Sequence, residues 1–201
     1  MGKTIEYFMS PQSPWTYLGH ARLVAMAAQR AVQVEIKPFD LARVFAASGG
    51  LPLAKRAPQR QAYRLQELPR WSQHLGVPLN VQPRFFPVSP DAASHMLIAA
   101  RTSLGGEAAL ALAGAIMQSL WVEERNIADQ ATLVQLADLA GLDGQMLLKS
   151  SETAGVKAQY DSNTSAALAA NVFGVPWYVV DGESFWGQDR LDFVERALDR
   201  Q

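Results

Sequence analysis

Ser13-Pro14-Trp15-Thr16 is the stretch whose residue types could do chemistry together. It follows a short alternating run and opens a run with helical spacing. Serine followed by proline is an ordinary helix start, with Ser13 as N-cap and Pro14 in the first turn. A chemical reading stands beside that plain one. The free N–H groups and positive dipole end of a helix start stabilise an anion placed there. A hydroxyl at the same point can donate to it. The chain contains no cysteine, so structural disulfides and thiolate metal sites are both excluded. If an anionic sulfur is held at this helix start, a ligand must bring it.

Composition bounds the alternatives. At 201 residues the chain suits one large domain or two small ones, with enough length for a sizeable core. Eighteen basic and nineteen acidic residues nearly cancel, and no basic run stands out, which argues against a nucleic-acid partner. No window approaches the ~20 apolar residues of a membrane span. The opening residues lack an apolar secretory core, so the expected location is cytoplasmic. His20, His74 and His95 lie far apart without metal-ligand spacing, and no metal is expected. There is no glycine-rich phosphate loop and no G-x-S-x-G elbow.

The elements that must position Ser13 are legible at both ends of the chain. Thr4 to Met9 alternates as a strand, with Ile5, Tyr7 and Met9 on one face. Pro14 to about Gln29 reads as a helix with an apolar stripe of Leu18, Ala21, Ala25 and Ala28. Val32, Val34 and Ile36 mark a second strand ended by Pro38. Strand, helix and strand of these lengths predict a parallel, right-handed unit. The middle is helical. A helix over about residues 59–76 carries Leu68, Trp71 and Leu75 on one face, and Pro69 should kink or break it. Segments 77–79 and 84–88 look extended. Helices follow near 91–102, 106–122, 129–140 and 143–150, with Asp129 and Asp143 as N-caps and Gly141 as a stop. A further helix over about 153–171 leads to a hairpin, Trp177–Val180 and Ser184–Trp186 around Asp181-Gly182. A last helix spans about 189–199.

This order predicts an α/β chain with a thioredoxin-like fold and a large all-helical insertion. Residues 1–40 and 164–201 would form the thioredoxin-like domain, and residues 41–163 the insertion. A helix-rich chain with two separate small sheets is the alternative. On the thioredoxin reading, Ser13-Pro14-Trp15-Thr16 takes the place of a C-P-x-C motif with hydroxyls for thiols, and glutathione is the candidate thiol. Two further segments converge on that helix start. Val175-Pro176 precedes a strand where this fold carries a cis-proline, leaving the Val175 backbone free to pair with a peptide-like ligand. Gly187-Gln188-Asp189-Arg190 opens the last helix. Its plain reading is an aspartate cap beside a solvated arginine. Its functional reading is a clamp, with Asp189 accepting from an α-ammonium group.

The run Tyr7 to Gly19, Y-F-M-S-P-Q-S-P-W-T-Y-L-G, resembles the N-terminal motif of 2-hydroxychromene-2-carboxylate isomerases and the related kappa-class glutathione transferases. Phe173-Gly174-Val175-Pro176 and the run from Phe185 to Leu191 resemble the C-terminal motifs of the same family. The resemblance covers essentially the whole chain. It implies a thioredoxin domain with a helical insertion that binds glutathione, commonly as a homodimer. It implies Ser13 as the catalytic serine rather than Ser10, because Ser13 is followed by P-W-T-Y-L-G. It implies Val175, Pro176, Gln188, Asp189 and Arg190 as glutathione contacts. Arg60 stands near a position usually held by lysine, where it could neutralise a carboxylate. Gly50 departs from the kappa pattern, which has an asparagine there. Trp15, Tyr17 and Trp186 either line a pocket for an aromatic substrate or pack the core.

The activity that the resemblance implies is conversion of a hydroxychromene carboxylate to an open-chain trans-benzylidenepyruvate, in the breakdown of fused aromatics. The partner would be a small aromatic carboxylate. A transferase or peroxidase that releases a glutathione conjugate is the second expectation. A binding protein without turnover is the third.

Overall fold

The structure, a computed structural model, describes residues 3–200. Strand β1 (Thr4–Met9) runs into helix α1 (Pro14–Gln29) and then β2 (Gln33–Pro38). The helices α2 (Leu41–Ser48), α3 (Pro58–Leu75), α4 (Asp91–Leu104), α5 (Gly106–Trp121), α6 (Gln130–Leu139), α7 (Gly144–Ser151) and α8 (Ala154–Ala169) follow. The chain closes with β3 (Trp177–Val180), β4 (Glu183–Trp186) and α9 (Leu191–Asp199), the last entered through a 3-10 turn at Gln188–Arg190. The sheet order is β2-β1-β3-β4. β1 pairs parallel with β2 and antiparallel with β3, and β3 pairs antiparallel with β4. The predicted β-α-β unit and C-terminal hairpin therefore share one sheet, and the two-sheet alternative is excluded.

Alternation along β1 explains the layering. Ile5, Tyr7 and Met9 point into the main core, where Val34, Ile36, Tyr178 and Val180 join Leu97, Ile116, Trp121 and Leu133 of the helices. Phe8 points the other way, into a smaller cluster with Phe39, Val44, Ala167, Val172, Val175, Trp177 and Val179. A strand at the centre of a sheet with helices on both faces must be apolar on both sides. The side chains of Asp129 and Asp143 cap α6 and α7 by accepting from Thr132 N and Met146 N, each at 2.9 Å.

Four readings are corrected. On α1 only Leu18 of the expected stripe is buried, while Ala21, Ala25 and Ala28 face solvent. The buried face is Thr16, His20, Leu23, Met26 and Ala27. Alanine is a strong helix former of weak hydrophobicity, so its spacing says little about which side faces the core. Pro69 sits inside α3 without ending it. It stands on the exposed side, where water can satisfy the carbonyl left without a partner. Residues 77–88 form no strand. An unanticipated helix, α2, follows Asp40, whose side chain accepts from Ala42 N and Arg43 N, and it ends at Gly49 with φ +74°.

Candidate active site

The strand registers gather the chemistry at one end of the sheet. Phe8 pairs with Trp177, and Trp177 with Trp186. The chain therefore leaves β1 toward Ser13, enters β3 from Pro176 and leaves β4 toward Gly187 at the same edge. Met9 pairs with Pro38, which brings the exit of β2 to that end as well.

Ser13 caps α1. Its backbone is extended (φ −80°, ψ 124°), and its Oγ accepts from Thr16 N at 3.2 Å. That leaves the hydroxyl proton free to donate. The Ser13 N–H donates to Ser10 O at 3.0 Å, closing the loop before the helix. Ser10 is 1% exposed and its hydroxyl has no protein partner, while Ser13 is 8% exposed. The Thr16 hydroxyl is also buried without a protein partner.

The other two segments are stitched to this helix. The Val175–Pro176 peptide bond is cis. Gly187 N donates to Pro176 O at 2.9 Å, joining the proline loop to the turn before α9. Arg22 of α1 donates to Gln188 O. A Cβ on Gly19 would stand 2.8 Å from the Gln188 Cβ and 3.2 Å from the Tyr178 hydroxyl. Only glycine lets α1 approach this turn so closely. Gln188 is 2% exposed, and its Oε1 accepts from no protein donor. Asp189 caps nothing: α9 begins two residues later without a side-chain cap. Its carboxylate instead pairs with Arg190 at 3.0 Å and stays partly exposed. Arg190 is exposed.

Beneath the site lies a buried polar stack. Tyr178 stacks on Tyr7 with ring centres 5.5 Å apart, and Tyr7 on His20 at 5.9 Å. His20 Nε2–H donates to Leu110 O at 2.9 Å, which assigns Nδ1 as the acceptor for the Tyr7 hydroxyl at 3.3 Å. Burial lowers His20 to about 4, only partly opposed by the bond to Leu110. The ring is therefore neutral near pH 7. Burial also pushes the Tyr178 phenol well up. Its hydroxyl has no protein partner.

The remaining candidates are more dispersed. Arg60 is exposed on the first turn of α3, with no hydrogen bond to the Ser13, Val175 or Gln188 segments. A Cβ at Gly50 would stand 2.3 Å from the Phe45 ring, so a longer side chain there requires that ring to move. The Tyr17 hydroxyl donates to Pro78 O at 2.8 Å. Trp186 is 51% exposed and packs edge-on against Phe173, with ring centres 4.7 Å apart. Among the described residues no three His, Asp or Glu side chains cluster as metal ligands. Nor is any helix there long and apolar enough to cross a membrane. A shallow hollow lined by Lys3, Thr4, Glu6, Glu35, Val179, Asp181 and Gly182 lies at the opposite end of the sheet, away from Ser13.

Residues 4–199 match the DSBA-like thioredoxin domain. The chain belongs to that family. Within this thioredoxin-like family it is similar to a 2-hydroxychromene-2-carboxylate isomerase of Sphingobium xenophagum, 30% identical over 199 residues, 98% of this chain and 99% of the relative. A glutathione S-transferase kappa 1 of Rattus norvegicus is 26% identical over 206 residues, 98% of this chain and 91% of the relative. A solved 2-hydroxychromene-2-carboxylate isomerase superposes with a TM-score of 0.81 at 26% identity, covering 98% of this chain and 95% of that one. The resemblance read from the three motifs holds, as does the fold expected from it. The chain sits among isomerases and kappa-class transferases.

Sequence reading missed Gly19, Arg22, Tyr178 and His20. A glycine inside the first helix was a visible signal of close approach. The others are defined only by which elements meet.

Proposed function

We propose that this protein is a glutathione-dependent isomerase of the 2-hydroxychromene-2-carboxylate type, acting in aromatic-compound catabolism. The observation that carries this reading is a hydroxyl-capped helix start, Ser13 on α1, beside a cis-proline loop in a chain without cysteine. Such a site suits a ligand's sulfur. The residues fit a thiol tripeptide. Oε1 of buried Gln188 lacks a protein donor, and the Asp189 carboxylate is partly exposed next to it. Bound there, glutathione would supply a thiolate able to add to the conjugated double bond of the ring-opened substrate and, after rotation about the resulting single bond, to leave again as the double bond re-forms.

The chain's own residues prepare that chemistry. The Ser13 hydroxyl and the α1 dipole favour the ionised sulfur over the thiol, whose ordinary pKa is about 8.5. The Val175 backbone pairs with the cysteinyl unit. Gln188 and Asp189 receive the γ-glutamyl ammonium group, and Arg190 borders them. Arg60, exposed at the start of α3, offsets a carboxylate. The substrate is a small aromatic carboxylate, and the protein works as a cytoplasmic homodimer.

The test is turnover of 2-hydroxychromene-2-carboxylate with glutathione far below the substrate concentration. Full conversion supports the isomerase. Consumption of glutathione one for one, with a stable conjugate as product, replaces it with the transferase reading. The 26% identity to a kappa-class transferase favours that second reading next.

A further inference from the structure

Arg56, Arg60 and Arg64 recur at intervals of four around the start of α3. That interval places Arg60 and Arg64 on one face of α3, while Arg56 precedes the helix in extended backbone. Among the described residues none of the three forms an ion pair with a carboxylate. Arg56 is held by its own loop, donating through Nε to Leu51 O at 2.8 Å. Arg64 is placed differently. Its guanidinium carbon lies 4.9 Å from the centre of the Phe86 ring and 6.0 Å from that of Trp121. Its Nη2 is buried and donates to no protein acceptor. Trp121 is fully buried, and its Nε1–H likewise has no protein acceptor. Burial, with the Arg56 charge second, lowers Arg64 to about 10, so it stays charged at neutral pH.

Two buried donors thus lack a protein acceptor, and the cationic one lies against aromatic rings. Leaving a buried donor unpaired is unfavourable, more so for a charged one. The Arg56 charge makes this worse. A complementary ligand must bring a negative acceptor, with a flat apolar body behind it to lie against the partly exposed Phe86. A guanidinium forks naturally onto a carboxylate. The position suits the site already described. Tyr17 follows Ser13 by one helical turn and bonds Pro78, while Asn80 N donates to Trp121 O at 2.7 Å. The short segment from Pro78 to Asn80 therefore links the catalytic helix start to the arginine's aromatic wall.

We propose that Arg64 anchors the carboxylate of a planar conjugated acid, and that Arg56 and Arg60 add attractive charge around it. The inference rests on the isomerase reading in that this acid would be the second substrate.

The test is binding, not turnover. Cinnamate and its uncharged amide, cinnamamide, have nearly the same shape and can be titrated by tryptophan fluorescence or calorimetry, alongside glutathione. The native protein should prefer cinnamate by about tenfold or more, the range of one charge-assisted hydrogen bond. Arg64→Met should remove most of the preference and leave glutathione affinity unchanged. Arg64→Lys, which keeps the charge and loses the fork, should retain part of it and guards against a misfolded Met variant. Equal binding of acid and amide by the native protein overturns the proposal. So does a preference that is undiminished in Arg64→Met. Loss of glutathione affinity in Arg64→Met with the acid preference kept also overturns it, because the arginine would then serve the tripeptide's carboxylate. A native protein that prefers cinnamate through Arg64 yet does not bind glutathione upholds the anchor and defeats the isomerase reading.

Discussion

His20 makes the stability of this protein depend on pH in a direction and window set by its burial. It lies 5% exposed in the α1 face, between the Tyr7 hydroxyl and the Leu110 carbonyl. In the folded protein it takes up a proton only near pH 4, whereas its ordinary value is 6.5. A second proton on the ring would sit at Nδ1, facing the Tyr7 hydroxyl in a dry environment. The unfolded chain binds that proton more readily between the two values, so stability rises with pH across the window. The contribution is fully present above about pH 6.5 and is lost as pH falls toward about 4. Integrated over the shift, the loss comes to about 3 kcal/mol, of which about 1.4 kcal/mol is gone by pH 5.5 and about 2 kcal/mol by pH 5. The assay is urea unfolding of the native protein and His20→Phe at half-unit steps from pH 7.5 to 4.5. Phenylalanine keeps the ring and the stack on Tyr7 but leaves two polar groups without partners, a cost constant over this range. Carboxylates and His95 titrate in both proteins and cancel in the difference. Parallel stability curves for the two proteins would refute the assignment of a buried, neutral His20.

Three further outcomes are expected. Ser13→Ala should cost only about 1 kcal/mol of stability, as an N-cap loss does, but should raise the pKa of bound glutathione and slow turnover ~10²-fold. Titration of the bound thiolate absorbance checks it, and identical curves with equal turnover would reduce Ser13 to a cap. Asp189→Asn should weaken glutathione binding by about 1.5–3 kcal/mol, the range for a charge-assisted bond, as read by calorimetry; unchanged affinity would remove Asp189 from the site. Gly19→Ala should destabilise the protein by about 1–3 kcal/mol through overpacking and weaken glutathione binding by moving Gln188, whereas an unaltered urea midpoint would show that the turn yields freely.

The parts of the fold written in local pattern could be read in advance. Thr4 to Tyr7 alternates, and β3 and β4 flank an Asp-Gly turn, so strands and hairpin were legible. The caps at Asp129 and Asp143 were also local. α2 carries Leu41, Val44 and Phe45 at helical spacing after Asp40, but only eight residues of it, too few to assert a period. The buried face of α1 was misread because four of its residues are alanine, and packing, not composition, decides where alanines point. At the candidate site, Ser13 and the segments around Pro176 and Asp189 were visible as motifs. The Gly19–Gln188 approach and the placing of Arg64 against Phe86 and Trp121 were not. They join residues far apart in the chain, and no local rule encodes such meetings.

The central place of β1 in the sheet has a consequence for how the molecule is made. β1 takes one partner from the next strand in sequence, and the other, β3, from near the far end of the chain. During synthesis the first β-α-β unit emerges with one backbone edge of β1 open and with Ile5, Tyr7 and Phe8 uncovered. That edge is sealed only when β3 leaves the ribosome. Non-local closure of this kind slows folding, and an open apolar edge invites pairing with other chains. Chains interrupted within the helical middle should aggregate rather than persist as soluble fragments.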